Sequence, residues 1–365
     1  MEHRTLGKTG LSLSIIGMGG FHLVETEGRE AERILNTYLD RGGNYIETAA
    51  EYGDGISEEK IGRSVSHRRS EFTLATKVHL RGKKEAEASI NRSLSLLKTD
   101  AVDILFVHNV TKMKDYETIF GPGGAFEAIE AARKAGKFRF LAVSAHGRPT
   151  VLIKAIQEHS FDVVMTGFNY YDRFNFPQTE DTLLPLAEKL GMGILGMKAL
   201  ADGFLYRSEA KAIRYTLSLP IASLVLGINT MEMLERDLKI AQDFTPMTDE
   251  EREKLFETAP ELGTYVCRQC GECSGSASGF DLVPSEVFLL EGLFDRQMDT
   301  KTLSDPASYS LRERLKHWFA QDDEARAEYS ALGRKVDPSK DYSGLNRLCP
   351  YRIDIDRKLK IAHEK

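Results

Sequence analysis

Three ionisable residues end consecutive apolar runs of this sequence, and a tyrosine follows the first of them. The three are Glu47, Lys77 and His108, with Tyr52 in the loop after Glu47. A lysine ammonium beside a phenol favours the phenolate and lowers the phenol pKa, and a carboxylate beside that lysine keeps it charged and in place. The set thus has the chemistry of a tunable proton donor. Tyr52 would protonate a carbonyl oxygen while a hydride reaches the carbon, and His108 would orient the carbonyl.

Each of these four residues also has a purely structural interpretation. A lone histidine at the end of a strand is more often a hydrogen-bonded part of the scaffold than a catalyst. Glu47, Lys77 and His108, however, end three successive predicted strands. Because catalytic residues of a parallel barrel come from the ends of several strands, this shared placement favours the catalytic interpretation.

The elements that must position these residues are repeated βα units. Short β-branched runs alternate with helix-length amphipathic segments, such as residues 85–98, from Leu13 to about Ala241. The eight predicted strands are residues 14–18, 44–48, 72–78, 102–108, 138–145, 161–167, 192–198 and 221–227. No Gly-x-Gly-x-x-Gly follows the first strand, which favours a closed (β/α)8 barrel over an open doubly wound sheet. The preceding RTLGKTGLSLS predicts a hairpin that plugs the N-terminal mouth of the barrel.

Composition and charge narrow the class of partner. The 365 residues carry a formal net charge of -6, with basic and acidic residues interspersed, which argues against nucleic acid as a partner. The N-terminus has no signal-peptide pattern, and no window approaches the roughly 18 apolar residues of a membrane span. We therefore expect a cytoplasmic protein that acts on a small molecule and has no membrane partner.

The end of the last predicted strand offers an anion site. Gly227 closes that strand, Asn229 and Thr230 follow, and a helical segment begins at Met231. The free N–H groups of a helix N-terminus bind anions, and barrels often hold a phosphate after strands seven and eight. The alternative is a simple helix cap by Asn229 or Thr230.

The four cysteines of the chain indicate a metal site. Cys267, Cys270 and Cys273 form a Cys-x2-Cys-x2-Cys run of the ferredoxin type, and Cys349 precedes a proline. In two-cluster ferredoxins the Cys-Pro of one motif ligates the cluster of the other motif, which would join Cys349 to the three-cysteine run. The second motif's cysteines would be replaced by Ser339, Tyr342 and Leu345, and the first motif's own Cys-Pro by Ala277-Ser278. A four-thiolate zinc site and unligated thiols remain alternatives.

Several segments resemble the aldo-keto reductases over roughly residues 4–241. They are TLGKTGLSLSIIGMGG, NYIETAAEYGDGISEEKIG, LATKV, DILFVHNV, GKFRFLAVSAHG and SLVLGINTMEMLERDL. The resemblance implies that the family's catalytic tetrad falls on Glu47, Tyr52, Lys77 and His108. Glu47 departs from the family's usual aspartate: it keeps the charge but adds a methylene.

The same resemblance implies a nicotinamide cofactor. NADPH would contact Ser144 at its carboxamide end, and Gly227, Asn229, Thr230 and Arg236 at its adenosine phosphate end. Lys198 would be a pyrophosphate contact or a solvated strand end. Ala145 and Met165 stand where many relatives carry amides, and the basic pair for the 2'-phosphate is only partly present. The resemblance implies NADPH as the expected cofactor, and these departures keep NADH as the alternative.

The tail resembles the ferredoxin-like extension of a subgroup of aldo-keto reductases over about residues 265–365. CRQCGEC, GFDLVPSEVF and LCPYRIDIDRKLKIAHE carry this likeness. It implies one 4Fe-4S cluster held by Cys267, Cys270, Cys273 and Cys349. We expect a barrel domain over 1–245 and a mainly helical extension over 246–365. The insertion at 280–345, which contains Trp318, has no recognisable motif.

Three functions are compatible with this sequence. The first is an enzyme that reduces an aldehyde or ketone with NAD(P)H. The second is a nucleotide-sensing or electron-relay module whose cluster exchanges electrons with a partner protein. The third is a zinc-stapled barrel without a redox tail. The intact Tyr52, Lys77 and His108 favour the first, and the sequence does not name its substrate.

Overall fold

The structure is a computed structural model that describes residues 1–274, 280–299 and 321–365. Ala277, Ser278 and Trp318 lie outside the described residues. Within the insertion at 280–345, residues 284–295 and 322–331 form helices. The chain folds into two compact units. The first consists of Met1–Phe168, Glu180–Ala199 and Ile213–Pro246, and the second of Asn169–Thr179, Leu200–Ala212 and Met247–Lys365.

The first unit is built around a closed parallel barrel. The strands are β1 His3–Thr5, β2 Ser12–Ser14, β3 Ile16–Gly19, β4 Tyr45–Glu47, β5 Thr73–Val78, β6 Val102–Val107, β7 Phe138–Ser144, β8 Val163–Gly167, β9 Gly193–Met197 and β10 Ser223–Gly227. Strands β3 to β10 close the barrel in sequence order, with β10 paired to β3. The predicted eight-stranded parallel barrel is confirmed, and each predicted strand coincides with a barrel strand to within a few residues at either end.

Helices follow the barrel strands, as expected for βα units. The α-helices of the described residues are α1 Gly28–Asp40, α2 Ile56–Val65, α3 Lys83–Leu97, α4 Met113–Phe120, α5 Ala125–Lys134, α6 Thr150–Glu158, α7 Leu184–Leu190, α8 Glu209–Leu217, α9 Met231–Gln242, α10 Asp249–Thr258, α11 Pro284–Asp295, α12 Asp322–Ala331 and α13 Ile355–Glu364. Helix α1 shows why they form: Ala31, Ile34, Leu35, Tyr38 and Leu39 recur at helical spacing and are all buried.

The barrel interior is a packed apolar core. Tyr45, Ile104, Phe106 and Leu195 belong to one cluster of side chains that are fully buried. Each large apolar side chain buried in this way contributes about 1.5–3 kcal/mol to folding. The interior is therefore filled with side chains, and an active site is expected at the carboxyl ends of the strands.

The predicted N-terminal hairpin also forms. Strands β1 and β2 pair antiparallel, with Arg4 opposite Leu13. Leu6 and Leu13 are completely buried in the same cluster as the barrel interior. The hairpin thus closes one mouth of the barrel with apolar side chains.

The second unit has its own apolar core. Val287, Phe288, Leu345, Ile355 and Leu359 are buried there together with Cys267 and Cys273. The predicted boundary after residue 245 stays a prediction, because this unit also takes in two segments that follow β8 and β9 in the chain. Among the described residues, no helix has both the length and the apolar character needed to cross a membrane.

Candidate active site

Glu47 and Lys77 meet at the carboxyl ends of two adjacent strands. Glu47 is the last residue of β4 and pairs with Ala75 of β5. Lys77 lies two residues further along β5, so its side chain points to the same side of the sheet as that of Ala75. The lysine Nζ forms an ion pair with Glu47, and both side chains are at most 4% exposed. Lys77 also donates a 2.9 Å hydrogen bond to the carbonyl oxygen of Thr48.

Tyr52 reaches this ion pair because the chain turns sharply behind it. Gly53, Asp54 and Gly55 all have positive φ, at 62°, 50° and 88°, and the turn leads directly into α2. Glycines at two of these three positions relieve the strain of left-handed backbone. Lys77 Nζ donates to the phenolic oxygen of Tyr52 over 3.0 Å.

Burial controls the proton affinities of this pair. It raises the pKa of Tyr52, with a further contribution from the negative charge of Glu51. Burial also lowers the pKa of Lys77, an effect that the ion pair with Glu47 opposes. The net shift of the Tyr52 pKa is therefore upward, and not downward as the sequence predicted, because burial disfavours the phenolate. The tyrosine is fully protonated at neutral pH.

His108 follows β6 directly and faces the same tyrosine. Its ring centroid lies 6.0 Å from that of Tyr52, with the two planes at 81°. The imidazole Nδ1 is buried and 3.4 Å from a carboxylate oxygen of Glu51. Burial, and secondly the charge of Lys77, lowers the His108 pKa well below 6.5. A neutral imidazole has one ring N–H, and beside a protonated phenol it can donate that proton in a hydrogen bond to a carbonyl oxygen.

Arg81 and Phe21 belong to this site and were not predicted from the sequence. Arg81 donates to the carbonyl oxygens of His108 and Asn109 over 2.6 and 3.0 Å, which fixes the loop that carries the histidine. Phe21 packs edge-on against Tyr52, with centroids 5.2 Å apart. Both residues follow the carboxyl end of a barrel strand. That position in the sequence could have identified them as candidates for the site.

Three of the predicted cofactor residues lie at or just after the ends of barrel strands. Ser144 ends β7, Lys198 follows β9, and Gly227 ends β10. Asn229 and Thr230 come between β10 and α9, and Arg236 is an exposed residue within α9. The strand order of the closed barrel brings the first three strand ends onto one rim, whereas Arg236 lies further along the helix.

Three features of these residues bear on whether they fit a dinucleotide. Ser144 is buried, and its hydroxyl oxygen accepts a hydrogen bond from the Asn109 N–H, which leaves the hydroxyl proton available to a ligand oxygen. Thr230 caps α9 by accepting from Met233 N–H over 3.2 Å, so the predicted cap is present. The Met231 N–H interacts with the Glu30 carboxylate. The Ser144 hydroxyl at the end of β7 therefore fits a carboxamide oxygen. The Glu30 carboxylate, in contrast, places a negative charge at the N-terminus of α9.

The cysteines come together in the second unit. Cys267, Cys270, Cys273 and Cys349 all line one cavity, whose wall includes Arg268 and Tyr351. Burial raises the pKa of the Cys267 thiol to about 12. As the side chains stand, no group of three or more His, Cys, Asp or Glu residues in the described ranges has the geometry to hold a metal ion.

The donor chemistry of this cavity nevertheless fits an iron–sulfur cluster. Four thiols from two distant segments face one space, and all four cysteines are free of disulfides. Gln269 adopts a positive φ of 58°, and its N–H donates to the Cys267 sulfur over 3.4 Å. Hydrogen bonds to cysteine sulfur are among the features that tune such clusters.

Comparisons with known proteins agree with the barrel. Residues 15–263 match the model of the Aldo/keto reductase family. An uncharacterized oxidoreductase, YqkF, of Bacillus subtilis is 28% identical over an alignment of 261 residues that covers 66% of this chain and 81% of that protein. L-galactose dehydrogenase of Arabidopsis thaliana is 28% identical over 56% of this chain and 67% of its own length.

Among solved structures, the holo form of aldo-keto reductase AKR11C1 from Bacillus halodurans superimposes with a TM-score of 0.59 at 24% identity. The alignment covers 69% of this chain and 94% of that one. At this identity the likeness supports the fold alone.

Proposed function

Since this chain belongs to the aldo/keto reductase family, we propose that it is an oxidoreductase that reduces an aldehyde or ketone to an alcohol with NAD(P)H. One observation carries the proposal: the Tyr52 phenol, held by Lys77 at 3.0 Å, faces the His108 imidazole across 6.0 Å between ring centroids. A carbonyl oxygen bound between them would meet a proton donor and an orienting imidazole at once.

Each residue of the site has its own part in this reaction. Reduced nicotinamide, when bound, supplies the hydride that reaches the carbonyl carbon. Tyr52 gives its phenolic proton to the carbonyl oxygen as negative charge develops there. The Lys77 ammonium stabilises the phenolate left behind, and Glu47 holds the lysine in place. His108, held neutral by burial, donates its ring N–H to the same oxygen and fixes its position.

Cofactor binding is part of the proposal. Ser144 would hold the carboxamide through its hydroxyl proton, and Lys198 the pyrophosphate. Gly227, Asn229, Thr230 and Arg236 would hold the adenosine phosphate end at α9. NADPH is the proposed cofactor by family resemblance, and NADH is the alternative because Glu30 lies at this helix end.

The tail completes the proposal with one 4Fe-4S cluster. Cys267, Cys270, Cys273 and Cys349 would ligate it, since all four line one cavity. The cluster would fix two distant chain segments together and could pass electrons to a redox partner protein. A cluster with four thiolate ligands also fits the reducing cytoplasm.

A single assay set tests the proposal. Anaerobically purified protein is mixed with NADPH or NADH and a panel of aldehydes and ketones, and loss of the reduced-cofactor absorbance is followed. The proposed reaction is supported if wild type turns over a carbonyl substrate and the Tyr52→Phe variant loses that turnover. Tight NADPH binding without turnover on any carbonyl, together with cluster reduction by a partner, would support the nucleotide-sensing alternative.

A further inference from the structure

Two consecutive residues after α11 are buried in strained backbone. Arg296 and Gln297 are 4% and 1% exposed, and both have positive φ, at 59° and 55°. Left-handed backbone at two adjacent non-glycine residues costs folding energy, which the contacts of their side chains must offset.

Gln297 joins the cysteine site to a loop of the barrel sequence. Its side-chain oxygen accepts a 2.8 Å hydrogen bond from the N–H of Cys267. Its amide nitrogen donates to the Asn175 side-chain oxygen over 3.1 Å and to the Phe174 carbonyl over 3.3 Å. One amide group thus uses both its acceptor and its donors to connect Cys267 with residues 174–175.

Arg296 binds the same loop and a second one. Its Nη2 donates to Asp172 over 3.1 Å and to Asp202 over 2.9 Å. Its carbonyl oxygen accepts from the hydroxyl of Tyr171 over 2.8 Å. Tyr171 stacks on Phe204, with centroids 5.4 Å apart and planes at 6°. A buried guanidinium without its carboxylates is strongly destabilising. The position of Arg296 therefore fixes Asp172 and Asp202, and with them the two loops that carry these aspartates.

These two loops are the βα loops that follow the sixth and seventh strands of the barrel. Residues 169–179 begin just after β8 ends at Gly167, and residues 200–212 begin just after β9 ends at Met197. In (β/α)8 barrels such loops, at the carboxyl ends of the strands, form the substrate and cofactor sites.

We propose that Arg296 and Gln297 are positioning residues that couple the four-cysteine site to the βα loops after β8 and β9, so that the state of the cysteines sets the order of those loops. The inference rests on the proposed function for its consequence, which is that cluster loss weakens cofactor binding. Coupling of this kind is reciprocal: disturbing the loops must disturb the cysteine segment equally.

The test is hydrogen exchange of the full chain, read by peptide mass. Gln297→Met is nearly isosteric and removes both the acceptor and the donors. We expect about tenfold faster exchange in 169–179 and in 267–273. The matched control is Arg357→Gln, which removes the ion pair with Asp299 elsewhere in the same unit and should leave both peptides at wild-type rates.

A second variant guards against misfolding and tests reciprocity. Arg296→Lys keeps the buried charge but cannot bridge Asp172 and Asp202 as the planar guanidinium does. We expect faster exchange in 169–179 and 200–212 and also, through Gln297, in 267–273. Faster exchange in the loops alone would mean a local structural role and would overturn the coupling.

The cysteine side is tested by removing iron. Chelation under mild oxidation should speed loop exchange in wild type and raise the Kd for NADPH, measured by fluorescence titration, about three- to tenfold. The same chelation of the Gln297→Met variant should change its loop exchange and its Kd for NADPH little further. Unchanged loop exchange in both Gln297→Met and iron-free wild type overturns the inference. Protein purified without iron would refute the proposed cluster instead, and the variant comparison would still decide the coupling.

Discussion

Lys77 donates a 3.0 Å hydrogen bond to the phenolic oxygen of Tyr52 while it also pairs with Glu47 and donates to the Thr48 carbonyl. An ammonium has three N–H groups, and these three acceptors use all of them. The phenol oxygen therefore receives a proton contact from the lysine, and its own proton is free to point at another acceptor. This arrangement makes Tyr52 a donor toward substrate.

We expect Tyr52→Phe to lower kcat for carbonyl reduction by about 10²- to 10⁴-fold, the usual contribution of a positioned acid. The phenyl ring keeps the packing against Phe21, so the Kd for NADPH should change little. Steady-state kinetics and cofactor titration measure the two separately. The control is Tyr206→Phe, at an exposed tyrosine. Reduction by the Tyr52 variant at near wild-type rate would remove Tyr52 from the mechanism.

Glu47 should matter through its charge and not its length. Glu47→Asp is expected to retain or raise turnover, because the carboxylate still faces Lys77. Glu47→Gln leaves the buried ammonium without its countercharge and should lower kcat and cost about 3–5 kcal/mol of stability, the range for a broken buried ion pair. Urea unfolding and kinetics on both variants measure this. Equal turnover in Glu47→Gln and wild type would mean that the charge at 47 has no role.

The barrel was predictable because its signal is periodic. The strands are mainly apolar runs, and the polar residues at or next to the ends of three of them are Glu47, Lys77 and His108. The direction of the Tyr52 pKa was not predictable, since it depends on how completely the folded chain excludes water. The lysine at position 77 was visible in the sequence, but the burial that raises the Tyr52 pKa was not.

The contacts of the tail were less accessible to sequence reasoning. The cysteine spacing predicted that Cys349 joins the other three, and the four do line one cavity. Nothing in the sequence linked Arg296 to Asp172, which lies 124 residues away. Such pairs arise from tertiary packing, and a single sequence has no local pattern that marks them.

The pKa of His108 predicts a loss of stability in mild acid. Burial lowers this pKa well below 6.5 in the folded protein, whereas the unfolded chain takes up the proton near 6.5. The unfolded state thus binds more protons as the pH falls below that value, and stability drops by up to about 1.4 kcal/mol per pH unit until the folded pKa is reached.

His108→Gln should remove this slope. We expect the difference in unfolding free energy between wild type and His108→Gln to change as the pH falls from about 7 to about 5, as measured by urea titration. His67→Gln, at an exposed histidine, is the control and should run parallel to wild type. A His108→Gln curve that also runs parallel to wild type would contradict a depressed pKa at this histidine.

Glu30 should influence the choice of cofactor. Its hydrogen bond with Arg33 lowers its pKa, so it is ionised at neutral pH, and it interacts with the Met231 N–H at the start of α9. An acid there repels a 2'-phosphate and accepts from a ribose hydroxyl. We expect Glu30→Gln to tighten NADPH binding about two- to fivefold relative to NADH. The control is Glu32→Gln, at an exposed residue of the same helix, and it should leave the Kd values for NADPH and NADH unchanged. An unchanged ratio of the two Kd values in Glu30→Gln would mean that the 2'-phosphate does not bind near Glu30.

Cys349 should be required for the cluster even though it lies far along the chain from the other three cysteines. A cubane needs four thiolates, the chain has four cysteines, and all of them line one cavity. We expect Cys349→Ala, purified anaerobically, to lose the brown chromophore and most of its iron and acid-labile sulfide. Because the cluster joins two distant segments, the variant should also unfold at a lower temperature. Ser285→Ala is the matched control, since Ser285 lines the same cavity without supplying a thiolate. One equivalent of zinc without iron in wild type, or an unchanged chromophore in Cys349→Ala, would show that these four residues do not hold an iron–sulfur cluster together.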